Sequence, residues 1–260
     1  MRIGLRLALS VGLVLAAARS NRADVWDVQT DNDNGTATEN ELLHGSDQLH
    51  DLGALPGPLA DQDWYGLSQK SYSSYEAVAD ATSGDIGATL NLQRIAADGS
   101  TVAQFSSAVG VGYSRSLRWA NTTASAVDDQ YVRVTSGSCT TDCGPDDVYR
   151  VRFYETTLAV PRFNNAGSQI TVLLLQNPTS YAITGNVYFW SAAGTLIAPS
   201  PFTLQPRQLL VLNTATVAAG AGGALTIAHD GRFGDLAGKT VALEPATGFS
   251  FDSPMVARMH

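Results

Sequence analysis

Two aromatic strand signatures frame the early part of this chain: Asp61-Gln62-Asp63-Trp64-Tyr65-Gly66-Leu67 and Val148-Tyr149-Arg150-Val151-Arg152-Phe153-Tyr154. Between them apolar and polar residues alternate in short runs, at Tyr75/Ala77/Val78/Ala79, Leu90/Leu92/Ile95, Leu117/Trp119 and Tyr131/Val132/Val134. A period of two sends alternate side chains to opposite faces of a strand, whereas a helix needs 3.6. Asp98-Gly99 follows the Leu90 run and reads as a hairpin turn. Short strands between turn signals, with no long helical period, predict an antiparallel β-sandwich over residues 61–157.

Past Thr156-Thr157 the composition turns rich in Ala, Thr, Leu and Val. Ile170–Leu175 is a near-continuous apolar run. Val187–Trp190, Leu196-Ile197, Phe202–Leu204, Leu209–Leu212, Leu225–Ala228, Val241–Leu243 and Phe249–Phe251 follow it between Gly and Pro punctuation. This spacing predicts a second, immunoglobulin-like sandwich over 158–260. The fold class expected is therefore all-β, two tandem antiparallel β-sandwiches. Residues 24–60 read as an acidic entry segment: a turn cluster at Asp31–Gly35, a loop with one short helical turn between Glu39 and Leu52, and a stop at Pro56-Gly57-Pro58.

The first 23 residues read as an export signal. Arg2 and Arg6 give a positive start, Leu7–Leu15 a short apolar run, and Ala18, Ser20 or Ala23 a cleavage point. The run is too short to span a bilayer, which takes about 20 residues, and no later segment approaches that length. The expected location is the periplasm or the extracellular space. In such a compartment Cys139 and Cys143, five positions spanning Cys-Thr-Thr-Asp-Cys, are expected to form a disulfide. So small a loop contributes about 2 kcal/mol and pins one turn.

Charge divides the chain. Residues 24–157 hold 20 acids against 7 bases, and residues 158–260 hold 4 against 5. An acidic surface repels phosphate backbones, which excludes nucleic acid as a partner and favours cations. Asp31, Asp33, Asn34, Glu39 and Glu41 supply hard oxygens on a Gly-containing turn, the donor type calcium takes. Their spacing is not that of an EF-hand loop. The alternative for the same residues is a solvated acidic linker.

Asp61 and Asp63, two apart on a strand, would share one face. Paired-carboxylate glycoside hydrolysis draws its acids from separate elements across a cleft, so turn capping is the simpler role. His44 and His50 flank Ser46 and Asp47 in a loop, and His229-Asp230-Gly231 closes a strand. No Gly-x-Ser-x-Gly elbow and no His-Glu-x-x-His occurs. Trp64 and Tyr65 are consecutive on a strand and must point opposite ways, so one of them is expected at the surface as a ligand contact.

The Glu39-Asn40-Glu41 entry, the Asp61–Tyr65 strand, Leu90-Asn91-Leu92 leading to Asp98-Gly99, Tyr131–Val134 and the closing Val148–Val151 strand stand in an order similar to the bacterial pre-peptidase C-terminal domain family. The resemblance covers residues 31–155. It implies a jelly-roll-like sandwich of the kind appended to secreted enzymes and surface proteins, one that binds rather than catalyses, with calcium held near the entry edge in some collagen-binding members. The 158–258 segment resembles a bacterial immunoglobulin-like module.

The expectation is an exported, non-catalytic protein for adhesion, matrix or carbohydrate binding, or envelope support, with no certain cofactor. Its partner would be an extracellular protein or polysaccharide. Two rival readings are a calcium-dependent peptide or collagen binder and a glycan hydrolase built from scattered carboxylates.

Overall fold

The computed structural model describes residues 34–53, 61–84, 86, 89–108, 114–137, 143–144 and 146–258. Asp31, Asp33 and Cys139 lie outside them. The described chain is all-β, built from four antiparallel sheets. A 3-10 turn occupies Thr214–Thr216. No helix among the described residues is long and apolar enough to cross a membrane.

The first sandwich uses β1 (Ser46–Asp51), β2 (Asp63–Gln69), β3 (Ser73–Ala81), β4 (Leu90–Ile95), β5 (Val102–Phe105), β6 (Ser107–Ala108), β7 (Ser114–Asn121), β8 (Val127–Ser136) and β9 (Val148–Glu155). One sheet runs β1-β9-β3-β7-β6 and the other β2-β8-β4-β5. Period-two faces make the core: Tyr75, Ala77 and Ala79 of β3, Leu117 and Trp119 of β7, and Tyr149, Val151 and Phe153 of β9 meet Tyr65, Leu67, Leu90, Leu92, Val132 and Val134 of the facing sheet. The β4–β5 hairpin turns at Gly99, whose φ of 68° is the left-handed region that Gly enters without a Cβ penalty.

The entry segment differs from the expected loop with a helical turn. Ser46–Asp51 is a strand, paired antiparallel with β9 from Ser46↔Phe153 to Asp51↔Val148. The apolar pattern misleads here because Leu49 points to water while His50 and Asp51 are buried.

The second sandwich uses β10 (Leu158–Asn164), β11 (Ile170–Gln176), β12 (Ile183–Ser191), β13 (Leu196–Leu204), β14 (Leu209–Asn213), β15 (Gly222–His229), β16 (Ala237–Glu244), β17 (Phe249–Pro254) and β18 (Val256–Ala257). Its sheets run β13-β12-β15-β10-β18 and β14-β11-β16-β17. Between them pack Val160, Phe163, Leu173, Leu175, Val187, Phe189, Leu225 and Ile227. β13 is one nine-residue strand through Pro199 and Pro201, which is tolerated because it is an edge strand with no ladder to donate to on one side.

The second sandwich sits on the outer face of β3. Ser74, Glu76 and Val78 are buried there although they point away from the first core. Glu76 accepts hydrogen bonds from Ser116 Oγ at 3.0 Å and from the Phe233 amide at 2.9 Å. The Phe233 ring stacks on Tyr154 at 4.8 Å, and Tyr72 meets Tyr188 at 4.7 Å. Arg258 returns to bond Glu155 and Ser73 of the first sandwich.

Candidate functional site

A cleft of about 460 Å³ opens at one side of the first sandwich, beneath residues 36–44. That segment bridges the two sheets. On one side the Leu42 amide donates to the Gly66 carbonyl at 2.9 Å and the Gly66 amide to Asn40 at 2.8 Å. On the other the Gly45 amide donates to Phe153 at 2.8 Å. Leu42, Leu67, Tyr75 and Phe153 form an apolar and aromatic floor, and all four are buried.

Polar side chains rim this floor. Gln69 bonds Gln130, Trp119 Nε1 donates to Gln69 Oε1 at 2.9 Å, and Arg94 donates to Gln130 Oε1 at 2.9 Å. The Lys70 amide donates to the Tyr75 hydroxyl at 2.6 Å, and burial raises that phenol above its ordinary range. Lys70 Nζ lies 3.2 Å from Glu155 Oε2, and Arg258 holds the other carboxylate oxygen. The Glu155 amide donates to His44 Nδ1 at 3.0 Å, which fixes that nitrogen as an acceptor. The Lys70 side chain remains about half exposed. The arrangement can receive a flat apolar group on the floor and hydrogen-bond its polar edge.

The cleft residues come from five separate stretches of chain, so no contiguous motif announces them. Glu41, one of the expected calcium ligands, is exposed and lines the cleft, and Glu39 is exposed. Asn34 Oδ1 accepts from the Gln62 amide at 3.2 Å. Among the described residues no three His, Cys, Asp or Glu side chains gather as a metal set. Cys143 packs half-buried against the first core.

Trp64 and Tyr65 do not form the expected contact surface, because both rings are buried. Tyr65 enters the core. Trp64 takes the outer face of β2, where the Arg133 guanidinium lies 5.2 Å from its centroid and Tyr131 packs edge-on at 5.8 Å. A cation over an indole face covers an aromatic that alternation alone would leave wet.

Asp61 and Asp63 are both buried, not a solvent-facing pair. Asp63 accepts from the Tyr149 hydroxyl, which also bonds the Tyr65 hydroxyl. His50 stacks on Tyr149 at 5.8 Å and bonds Gln48 Oε1 at 2.9 Å. Burial, with Asp63 beside it, pushes the Tyr149 phenol well above 10.0. This network ties β1, β2 and β9 together inside the core. His229 is likewise buried. Its Nδ1 accepts the Gly231 amide at 3.1 Å, and desolvation pushes its pKa down to about 4.

No family profile matches this sequence, and no curated protein matches it. Among solved structures, the chain is similar to the pre-peptidase C-terminal domain of collagenase from Bacillus anthracis, at 11% identity and a TM-score of 0.32. The match covers 44% of this chain and 92% of that domain. It is also similar to a Bacteroides uniformis β-glucuronidase at 9% identity and a TM-score of 0.20, spanning 80% of this chain but only 32% of that enzyme. The likeness to the pre-peptidase C-terminal domain is a weak resemblance of fold.

Proposed function

We propose that this chain is an exported, non-catalytic binding protein whose first sandwich takes an extracellular polysaccharide or an extended protein segment into the cleft beneath residues 36–44. The observation that carries the reading is the make-up of that cleft: an aromatic and aliphatic floor ringed by Gln, Lys and Glu side chains. Sugars and extended peptides present an apolar face and a hydrogen-bonding edge, which such a lining complements. The ionisable groups there are tied to one another: Glu155 to Lys70 and Arg258, and His44 Nδ1 to the Glu155 amide. Those ties suit positioning of a ligand better than proton transfer.

Glycan arrays and collagen pull-downs on the protein lacking residues 1–23 test this. A hit that disappears in Ser68→Trp, which fills the cleft from an exposed position, supports it. A hit that the substitution leaves intact places the ligand elsewhere and overturns it.

One observation favours calcium as a structural partner of the same edge. Asn40 is fully buried between Glu39 and Glu41, and neither Nδ2 nor Oδ1 of its side chain has a hydrogen-bond partner. A buried amide left unpaired costs about 1–3 kcal/mol. A cation on Oδ1 would offset part of that cost. Titration with calcium should raise the melting temperature, and less so in Asn40→Ala. An unchanged melting temperature removes the calcium reading and leaves the cleft reading standing.

A further inference from the structure

In the four-stranded sheet of the second sandwich, β14 and β11 and much of β16 carry apolar side chains on both faces, while β17 turns Ser250 and Asp252 outward. Along β11, Leu173 and Leu175 enter the core while Ile170, Val172 and Leu174 point away from it. The ladder sets Leu174 beside Val211 of β14, Val172 beside Val241 of β16, and Ile170 beside Leu243. Val211 is 61% exposed, Leu209 53% and Leu243 42%. An antiparallel sheet that meets water on one face alternates apolar-in with polar-out, and a near-continuous apolar strand belongs to a sheet covered on both sides. Among the described residues nothing covers this outer face.

We propose that this face is where two copies of the chain stack, sheet on sheet, about a two-fold axis. Charge places such a contact on the second sandwich. Residues 24–157 carry 20 acids against 7 bases, so two first sandwiches repel, whereas residues 158–260 carry 4 against 5 and can approach. The only charged side chains that these four strands place on the face are Lys239 and Asp252, bonded to each other at 2.5 Å across β16 and β17. A two-fold operation brings one cation and one anion from each side, so no net charge is buried. The same patch then serves both partners, as an isologous contact requires.

The size of the face sets the strength. Four strands about 4.8 Å apart and roughly five residues long, at ~3.3 Å each, give a footprint of about 300 Å². Stable complexes bury about 800 Å² per partner. The contact is therefore weak and fills only at high protein concentration.

Sedimentation equilibrium of the protein lacking residues 1–23, from micromolar to millimolar, tests the proposal. The weight-average mass should climb toward that of a dimer. Val211→Arg on β14 and Leu243→Arg on β16 should each weaken association by at least roughly tenfold. Phe105→Arg, an equally exposed apolar site on the first sandwich, should leave it unchanged. Circular dichroism and a melt of each variant show that the fold is kept. A wild-type chain that stays monomeric throughout overturns the proposal without recourse to any variant. Loss through Val211→Arg alone also overturns it, since that result marks pairing along the β14 edge and not stacking of faces. So does loss through Phe105→Arg.

Discussion

The Phe233 backbone amide donates 2.9 Å to the carboxylate of Glu76, carrying a hydrogen bond from the second sandwich to the outer face of the first. Burial pushes the Glu76 carboxyl above 4.5, with the Phe233 and Ser116 donors drawing it partly back. A folded-state pKa raised above the unfolded one gives stability that is complete below 4.5 and is lost as pH rises through the folded value. Glu76→Gln cannot ionise, so the variant should gain on wild type as pH goes from about 4 to about 8. Glu76→Ala, which strands both donors, should cost about 1–3 kcal/mol. Urea unfolding at several pH values measures both, and parallel wild-type and Gln-variant profiles would contradict the first.

Tyr149→Phe removes the hydroxyl shared by Asp63 and Tyr65. A buried carboxylate that loses a donor should cost about 2 kcal/mol at neutral pH. The phenol, raised well above 10.0, stays protonated in the folded state after it ionises in the unfolded chain. Its stabilising share is whole below 10.0 and fades as pH climbs past that point. Denaturant midpoints at about pH 8 and about pH 10.5 should therefore converge between wild type and variant as the solution becomes alkaline.

His229 behaves in the opposite sense. Its folded pKa of about 4 lies below the ordinary 6.5, so its share of stability is present above 6.5 and is lost as pH falls toward 4. That share amounts to roughly 3 kcal/mol at most. His229→Gln should unfold at a lower pH relative to its own neutral stability, as read by fluorescence during acid titration. An acid limb identical to that of wild type would show that other groups set it.

Cys139 and Cys143 should resist alkylation until reductant is added, and Cys139→Ser/Cys143→Ser should cost about 2 kcal/mol or less. Mass spectrometry after blocking, with and without reduction, decides it. Two thiols labelled in the native protein would rule the bridge out.

The strands were legible because their inward residues alternate: Leu90 and Leu92, Leu117 and Trp119, and Val132 and Val134 all lie in the core as the period predicts. β1 escaped because its inward residues are polar, His50 being held by Tyr149, Tyr65 and Gln48. Trp64 departs from the expected surface position for a related reason. Alternation tells which face a ring takes but not that Arg133 will lie over it. Of the strand arginines, Arg150 and Arg152 pair with Asp47 and Asp80, while Arg94 lies over Trp119, Arg118 over Tyr181 and Arg133 over Trp64. The cleft could not be read at all. Lys70 and Glu155 are 85 positions apart, and only the closing of one sheet on the other brings them together.

The burial of Ser74 and Glu76 under the neighbouring sandwich makes the chain hard to cut. Severed after Thr157, the first half would present a strand whose two sides were both shaped for dry surroundings, and the second would lose the acceptor for its Phe233 amide. Melting should accordingly be a single calorimetric event, with the halves surrendering together.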